Sequence, residues 1–500
     1  MKSKILFYID FQFIHLHIAK YFQENYDCEM FALIDLNEKP TQYFMKQKLA
    51  DFKKTWYYRD INVNKKDPDL EYLKQFEKKY LVNLWSVAFM ERKFYSNFNP
   101  YHKFTQNEIL CILEKECRFF ESILDEVNPD FLFINATDWH HMELLAEMCR
   151  KRGTNVFMLD LAKFATRAQI QEVNQISNSN KNYSSEIKNF DELQQVLKTG
   201  GRSKQIKFVR DNLQTSWIKN LKALKQIIKT TFNEKYRDHY TNSGKNFFSV
   251  IYYDIKLKFS RFIRFRFLEK NAIKKFSKSL FIYYPLHLEP ERVLLINSPY
   301  YTNQLEVIKN IARSLPVNFE LYVKEHPVMK IIGWREVKFY KEILSFPNVK
   351  LVHPNVSSEE VLKNCSLVIT ITGTAGIEGL FYQKPVIAFS KFWGHVKLSC
   401  IPIVEKFEDL SGIIKSQLKT QVDIKQLNDY VGWLYENTFE FDHSAHMVDL
   451  WKTFYYGGIL VNVPISEKKM NEFLSQHKEL DIVAEAHLKK VRELNLQHNS

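Results

Sequence analysis

The stretch LVITITGTAGIEGLFYQKPVIAF, Leu367 to Phe389, decides how the chain is read. The apolar, β-branched run SLVITI predicts a strand over Ser366–Ile371. Gly-Thr-Ala-Gly interrupts it, AGIEGLFY reads as a helix, and PVIAF reads as the next strand. Strand, tight turn and helix are the parts of a parallel α/β unit, in which ligands meet the loops at the carboxyl ends of the strands. Taken alone, the stretch fits equally a core strand followed by a helix that Thr374 caps.

Working outward, the same alternation recurs. RVLLIN (Arg292–Asn297), FELYV (Phe319–Val323) and NVKLV (Asn348–Val352) read as strands, separated by the helical patterns NQLEVIKNIARSL, WREVKFYKEILS and SSEEVLKN. This predicts a five-stranded, doubly wound Rossmann-like domain over 285–405. Near the N-terminus KILFYID, CEMFALI, FLFIN and NVFML read as strands. A helix over Asn107–Asp130 and another closed by Gly153 separate the last of them, giving a second α/β domain over 1–165. Between them lies a basic, helical segment (166–284) with a polar stretch at Gln175–Ser185, and 406–500 reads mostly as helices. The expected fold class is α/β, two Rossmann-like domains facing a cleft.

Composition narrows the function classes. A net charge of +13 points to an anionic partner. The basic aromatic segment Lys256–Lys278 fits either a solvated linker face or an anionic membrane surface, through Lys256, Arg261, Arg264, Arg266, Lys274 and Lys275. No nucleic-acid recognition motif stands beside it, so nucleic acid is not expected. The six cysteines are scattered without CxxC spacing, which predicts reduced thiols rather than a disulfide frame or a zinc site. Asp10, Gln12, His15 and His17 interrupt the apolar N-terminus, which does not read as a signal peptide. No window approaches the roughly 18 apolar residues of a membrane span. The expected location is cytoplasmic, or peripheral on the inner face of the cell membrane.

Three loops are expected on one edge of the second sheet: KEHP (Lys324–Pro327), TGTAG (Thr372–Gly376) and SKFWGH (Ser390–His395). Thr372, Gly373, Thr374 and Gly376 bring hydroxyls and backbone N–H groups to a helix start, which suits phosphate. Glu378, one turn on, is placed to accept from a ribose. Lys324 adds a point charge, and His326, held by Pro327, is placed to donate to a phosphate and to neutralise a leaving group. His287, Glu289 and Gln304 are further cleft candidates. A transferase also needs a base for the acceptor proton. The carboxylates at the ends of first-domain strands are Asp10 and Asp138, the latter in NATDWHH. Asp138 serves equally as a helix cap. With His140 and His141 it suggests a metal, but ligands so close in sequence do not converge without a fourth from elsewhere, and no metal is expected.

FIYYPLHLEPE (Phe281–Glu291), NQLEVIKNIARSLP, LYVKEHP, GWR (Gly333–Arg335), PNVKLVHP and ITGTAGIEGLFYQKPVIAF together resemble the capsule polysaccharide biosynthesis family, which includes the Kdo transferases of bacterial capsule export. The resemblance covers roughly Phe281 to Phe389. It implies a GT-B glycosyltransferase acting on a nucleotide-activated sugar, often CMP-linked, inverting and metal-independent, with no cofactor beyond the donor. It implies a glycan or lipid-linked acceptor. The family's His-Pro motif falls on His326 and Pro327, as nucleotide-phosphate contacts, and its Ser/Thr-rich helix start on Thr372, Gly373 and Thr374. Leu288 stands where the family typically has Gln. The alternatives are a polyol-phosphate transferase of the teichoic acid type, a sugar-nucleotide 2-epimerase, and a non-catalytic scaffold that docks on membranes.

Overall fold

The computed structural model describes residues 2–62, 67–95, 98–162, 164–172, 187, 189–199, 239–289, 291–390, 398–458 and 461–498. The polar stretch Gln175–Ser185 and all of SKFWGH after Ser390 lie outside them. The chain divides into two compact units. The first comprises Met1–Asn178, Gly201–Ile251 and Asn437–Ser500; the second comprises Ser179–Gly200 and Tyr252–Glu436.

The first unit is built on strands β1 (Ser3–Ile9), β2 (Cys28–Ile34), β3 (Lys54–Tyr57), β4 (Phe131–Asn135), β5 (Asn155–Leu161) and β6 (Arg167–Glu172). β1 and β4 are buried along nearly their whole length, as central strands of a parallel sheet covered on both faces must be. The order is β3-β2-β1-β4-β5, all parallel, continued by antiparallel β6 and by β12 (Phe439–Glu440) from the C-terminal part. Helix Gln106–Val127 opens with a complete Thr105/Glu108 capping box and packs its apolar stripe on one face of the sheet. On the other face helix Ile14–Asn25 and the C-terminal helices share one core: Ile14, Ile18 and Phe22 pack with Leu450, Phe473 and Val483.

The second unit holds β7 (Leu280–Pro285), β8 (Phe319–Lys324), β9 (Val349–Val352), β10 (Leu367–Thr370) and β11 (Val386–Ala388), all parallel in the order β11-β10-β7-β8-β9. One strand differs from the sequence reading. RVLLIN is a single helical turn, Arg292–Leu295, and the first strand is LFIYYP twelve residues earlier. Helices cover both faces: Val307, Ile308 and Ile311 pack with Ile282 and Tyr284 on one side. On the other, Gly379 brings helix Ala375–Phe381 so close that an added Cβ would lie 2.9 Å from Val368.

In each sheet the chain steps outward from the first strand, then returns to pair the fourth with the first. Two loops therefore diverge at the carboxyl end of that pair, and the crevice between them is where such folds bind ligands.

Candidate functional site

In the second unit the pair is β7 and β10, and the diverging loops carry His287 and Thr372–Gly376. Backbone bonds of the β10 loop wrap around the imidazole. The Thr372 N–H donates to His287 Nε2 (3.3 Å), and Thr370 Oγ1 lies 3.5 Å from the same nitrogen while accepting from the Gly373 N–H (3.1 Å). A Cβ at Gly373 would come within 3.1 Å of both His287 Nε2 and Thr370 Oγ1, so any larger residue there must push the imidazole or the hydroxyl aside. The Gly376 and Glu378 N–H groups donate to the Gly373 and Thr374 carbonyls. Those of Thr374 and Ala375 have no hydrogen-bond acceptor among the described residues. The helix that follows, Ala375–Phe381, spans seven residues, and Thr374 does not cap it with its side chain. The turn's donors, more than a macrodipole, thus define its chemistry. Thr372 is fully buried rather than on the rim, and its hydroxyl has no partner among the described residues.

The loop bearing His287 is braced from behind. Gln304 donates to the His287 carbonyl (3.1 Å) and accepts from its N–H (2.8 Å), and also donates to Glu289. Arg335 donates to the same carbonyl (2.5 Å) and pairs with the buried Glu325 carboxylate, which Tyr340 Oη also reaches (2.7 Å). The Glu of KEHP and the Arg of GWR are thereby one buried ion pair that ties the loop after β8 to the loop after β7. Glu325 and Arg335 stand in the motifs KEHP and GWR, but the sequence assigns no role to either or to Tyr340, since charge in short loops ordinarily faces solvent.

Lys324 ends β8. It is buried and makes no ion pair among the described residues. Burial lowers its pKa, opposed by the carboxylates of Glu325 and Glu378. The Glu378 charge also reaches Tyr283 on β7. His326 is half-buried. Its Nδ1 accepts from the Val328 N–H (3.3 Å), so in the neutral ring Nε2 carries the proton and is the donor. Pro327 is exposed after it. Lys324, His326, His287 and Thr372–Gly376 thus all stand at the carboxyl ends of β7, β8 and β10.

In the first unit the corresponding pair is β1 and β4. Asp10 follows β1 directly and is buried. It accepts from the Gln12 N–H (2.9 Å) and from Asn135 Nδ2 at the end of β4 (2.9 Å). Burial raises its pKa to about 6, although both hydrogen bonds work against this; Asp35 and Asp138 add to the rise. The turn closes through Phe13, a buried residue held at φ 58°. A left-handed conformation at a bulky residue is strained, and such strain gathers at functional loops. Asp138 is exposed and is not the cap: Trp139 occupies that position without a side-chain bond.

His140 and His141 turn away from Asp138 into the core. His140 bridges Glu91 (Nδ1, 2.7 Å) and Glu116 (Nε2, 2.9 Å). Burial alone would neutralise it, but the two carboxylates outweigh burial and hold its pKa up at about 10. His141 meets Tyr8 Oη (2.9 Å) and Asp35 (3.3 Å), and Arg59 also pairs with Asp35 (3.2 Å). Burial works against the Asp35 charge, yet His141 and Arg59 hold its pKa well below the usual range. Glu91, His140 and His141 offer ligand atoms within 4.8 Å of one another. Both His140 nitrogens already face carboxylates, so Glu91, His140 and Glu116 form a carboxylate–imidazolium–carboxylate triad.

The basic segment divides by face. Helix Phe247–Asn271 turns Arg264 inward, where it donates to the carbonyls of Gly333 (3.0 Å) and Trp334 (2.9 Å). Arg261 packs against Gly333, and burial lowers its pKa. These two belong to the packing rather than to an outward basic surface. Lys256 and Arg266 are exposed, Lys275 is exposed beyond the helix end, and Lys274 pairs with Glu269 (2.6 Å). Among the described residues no helix is long and apolar enough to cross a membrane.

Comparison with known proteins bears on the second unit above all. Residues 178–395 match the family model "Capsule polysaccharide biosynthesis protein". Protein FixF of Sinorhizobium fredii is 30% identical over 112 residues, 21% of this chain and 25% of FixF, so the match spans a quarter of that relative. Among solved structures, the Thermosulfurimonas dismutans KpsC β-Kdo 2,7 transferase aligns over 70% of this chain and 87% of its own, at 12% identity and a TM-score of 0.32. A UDP-GlcNAc 2-epimerase from Neisseria meningitidis, bound to UDP-GlcNAc, aligns over 87% and 99%, at 10% identity and a TM-score of 0.28. Residues 178–395, the span that matches the family model, thus carry β7 to β11 and the crevice between β7 and β10.

Proposed function

We propose that the chain is a glycosyltransferase of surface polysaccharide synthesis that takes its sugar from a nucleotide-activated donor. The observation that carries this reading is the crevice between β7 and β10. A buried ammonium (Lys324) and a half-buried imidazole donor (His326) at the end of β8, and open backbone N–H groups (Thr374, Ala375) after β10, flank the carboxyl end of β7. Cationic and N–H donors in a partly dehydrated site match a departing nucleotide phosphate, whose charge grows in the transition state. Glu378 is the acceptor for ribose hydroxyls. The positive charge of the crevice is the protein's own, which suits metal-independent transfer.

The acceptor, a glycan or lipid-linked sugar, gives up a proton. Asp10 is the better of the two carboxylates for that task. Its pKa of about 6 leaves it ionised at neutral pH yet basic enough to accept a proton. Direct attack of the acceptor on the anomeric carbon, with one base and no enzyme nucleophile, inverts the sugar.

The test is turnover on a panel of nucleotide sugars and CDP-polyols, read by product mass, for the wild type and His326→Ala. Loss of one donor to developing charge lowers kcat by about 10²–10³-fold, with an unchanged melting temperature. Near-normal turnover of His326→Ala removes the assignment. A phosphopolyol product or an epimerised nucleotide sugar replaces it, and no nucleotide-dependent stabilisation or turnover at all leaves a scaffold.

A further inference from the structure

Helix Phe247–Asn271 carries an apolar stripe that the second unit leaves uncovered. Tyr252, Ile255, Phe259, Phe262 and Ile263 are 45–66% exposed among the described residues. At roughly 100° per residue these five fall within a sector about 100° wide. Leu257, Arg261, Arg264 and Leu268 fall on the opposite side. That side is the packed one: Leu257 and Arg261 close on Gly333, Arg264 binds the Gly333 and Trp334 carbonyls, and Leu268 is buried in the core. The helix is fixed by one face and offers the other to solvent.

The charges follow the same division. Lys256 and Lys258 flank the stripe on its two sides, and Arg266 and Lys270 continue it toward the helix end; all four are exposed. The two carboxylates on this part of the helix are neutralised, Asp254 by Lys258 (2.7 Å) and Glu269 by Lys274 (2.6 Å). Arg266 also stands over the Phe262 ring (5.6 Å). An aromatic-rich stripe edged by cations, with its acids paired, is complementary to a surface that is apolar below and anionic above.

We infer that the outer face of helix Phe247–Asn271 docks on an anionic lipid bilayer, lying in the plane of the headgroups with Tyr252, Ile255, Phe259 and Phe262 directed toward the acyl chains. The occupant is lipid rather than a second copy, because the basic residues along the stripe would face their own kind across a symmetric helix pair. This inference goes beyond glycosyl transfer and is measured without any nucleotide.

The experiment is co-sedimentation of the full chain with phosphatidylcholine vesicles and with vesicles that also contain phosphatidylglycerol. The wild type binds the anionic vesicles and not the neutral ones, and added salt weakens binding. Arg266→Gln with Lys270→Gln weakens it by about 30-fold, as expected for two juxtamembrane cations. Phe259→Ser with Phe262→Ser abolishes it while the melting temperature holds. If the serine variant does not fold, the charge pair alone decides. Equal binding to both vesicle types, or binding that survives the glutamine pair, overturns the inference. So does a wild type that ignores vesicles, whether monomeric or a dimer that Phe259→Ser with Phe262→Ser dissolves.

Discussion

Replacing Lys324 with methionine separates a binding role from a structural one. Lys324 is 3% exposed, and burial pulls its pKa down against the fields of Glu325 and Glu378. Glu325 is already committed to Arg335, so the ammonium recovers only part of its lost hydration. Methionine keeps most of the stem and its packing but removes the charge. Unliganded K324M is therefore expected to be more stable, by about 0.5–2 kcal/mol, the usual gain when a site strained for function is relaxed. At about 2–4 °C per kcal/mol for a unit of this size, the melting temperature rises by roughly 1–8 °C. Phosphate binding moves the other way. A charge-assisted hydrogen bond contributes about 1.5–3 kcal/mol, so nucleotide affinity falls about 10- to 150-fold. The assay is thermal unfolding of both proteins, alone and titrated with CMP, UDP and GDP. A lower melting temperature for unliganded K324M, with nucleotide stabilisation intact, refutes the reasoning and makes Lys324 a structural cation.

Gly373→Ala presses a Cβ to 3.1 Å from His287 Nε2 and Thr370 Oγ1. Loss of the Thr372–His287 bond costs about 1 kcal/mol of stability, and the displaced turn weakens nucleotide binding; unchanged affinity by calorimetry would falsify the turn's role. The first unit should be acid-sensitive. Burial lowers the pKa of His443 to about 4, of His446 to about 3 and of His487 to about 4. Below the unfolded value of about 6.5 the unfolded chain binds protons that the fold refuses, so stability falls as pH drops from about 6.5 toward 4. Asp10, raised to about 6, opposes this with one proton. These four groups alone leave about two protons, or roughly 3 kcal/mol per pH unit, and buried His15, His17 and His239, whose pKa values burial also lowers, steepen the fall. Urea midpoints that stay level between about pH 7.5 and 5 contradict this balance.

The sequence exposed the alternation of strands and helices more readily than it exposed where each begins. RVLLIN and LFIYYP are both short apolar runs, and a run of that length does not distinguish a strand from a buried helical turn. The difference matters, because placing the first strand at Leu280–Pro285 is what sends His287 into the turn after β10. Strand order is a non-local fact, so the loop residues were legible as candidates and their meeting was not. The same holds for β12, two residues paired to a strand some 270 positions earlier in the chain. Some buried partners did leave a trace. Glu116 sits at helical spacing among Leu113, Cys117 and Phe120, a carboxylate on an apolar face, and its partner is the His140 imidazolium. Glu325 and Arg335 left a fainter one, since both lie in short loops where charge is ordinary.

The shared stepping order of the two sheets has a consequence for how the molecule sorts its ligands. Asp10 follows β1 as His287 follows β7, and Ala136 to Asp138 follow β4 as Thr372 to Thr374 follow β10. Equivalent positions carry opposite character. The loops of the first crevice carry the Asp10 and Asp138 carboxylates, while those of the second present an ammonium, imidazoles and N–H groups. On the proposed reading, one stepping order used twice gives two crevices of opposed charge, and a polyanionic nucleotide favours the second.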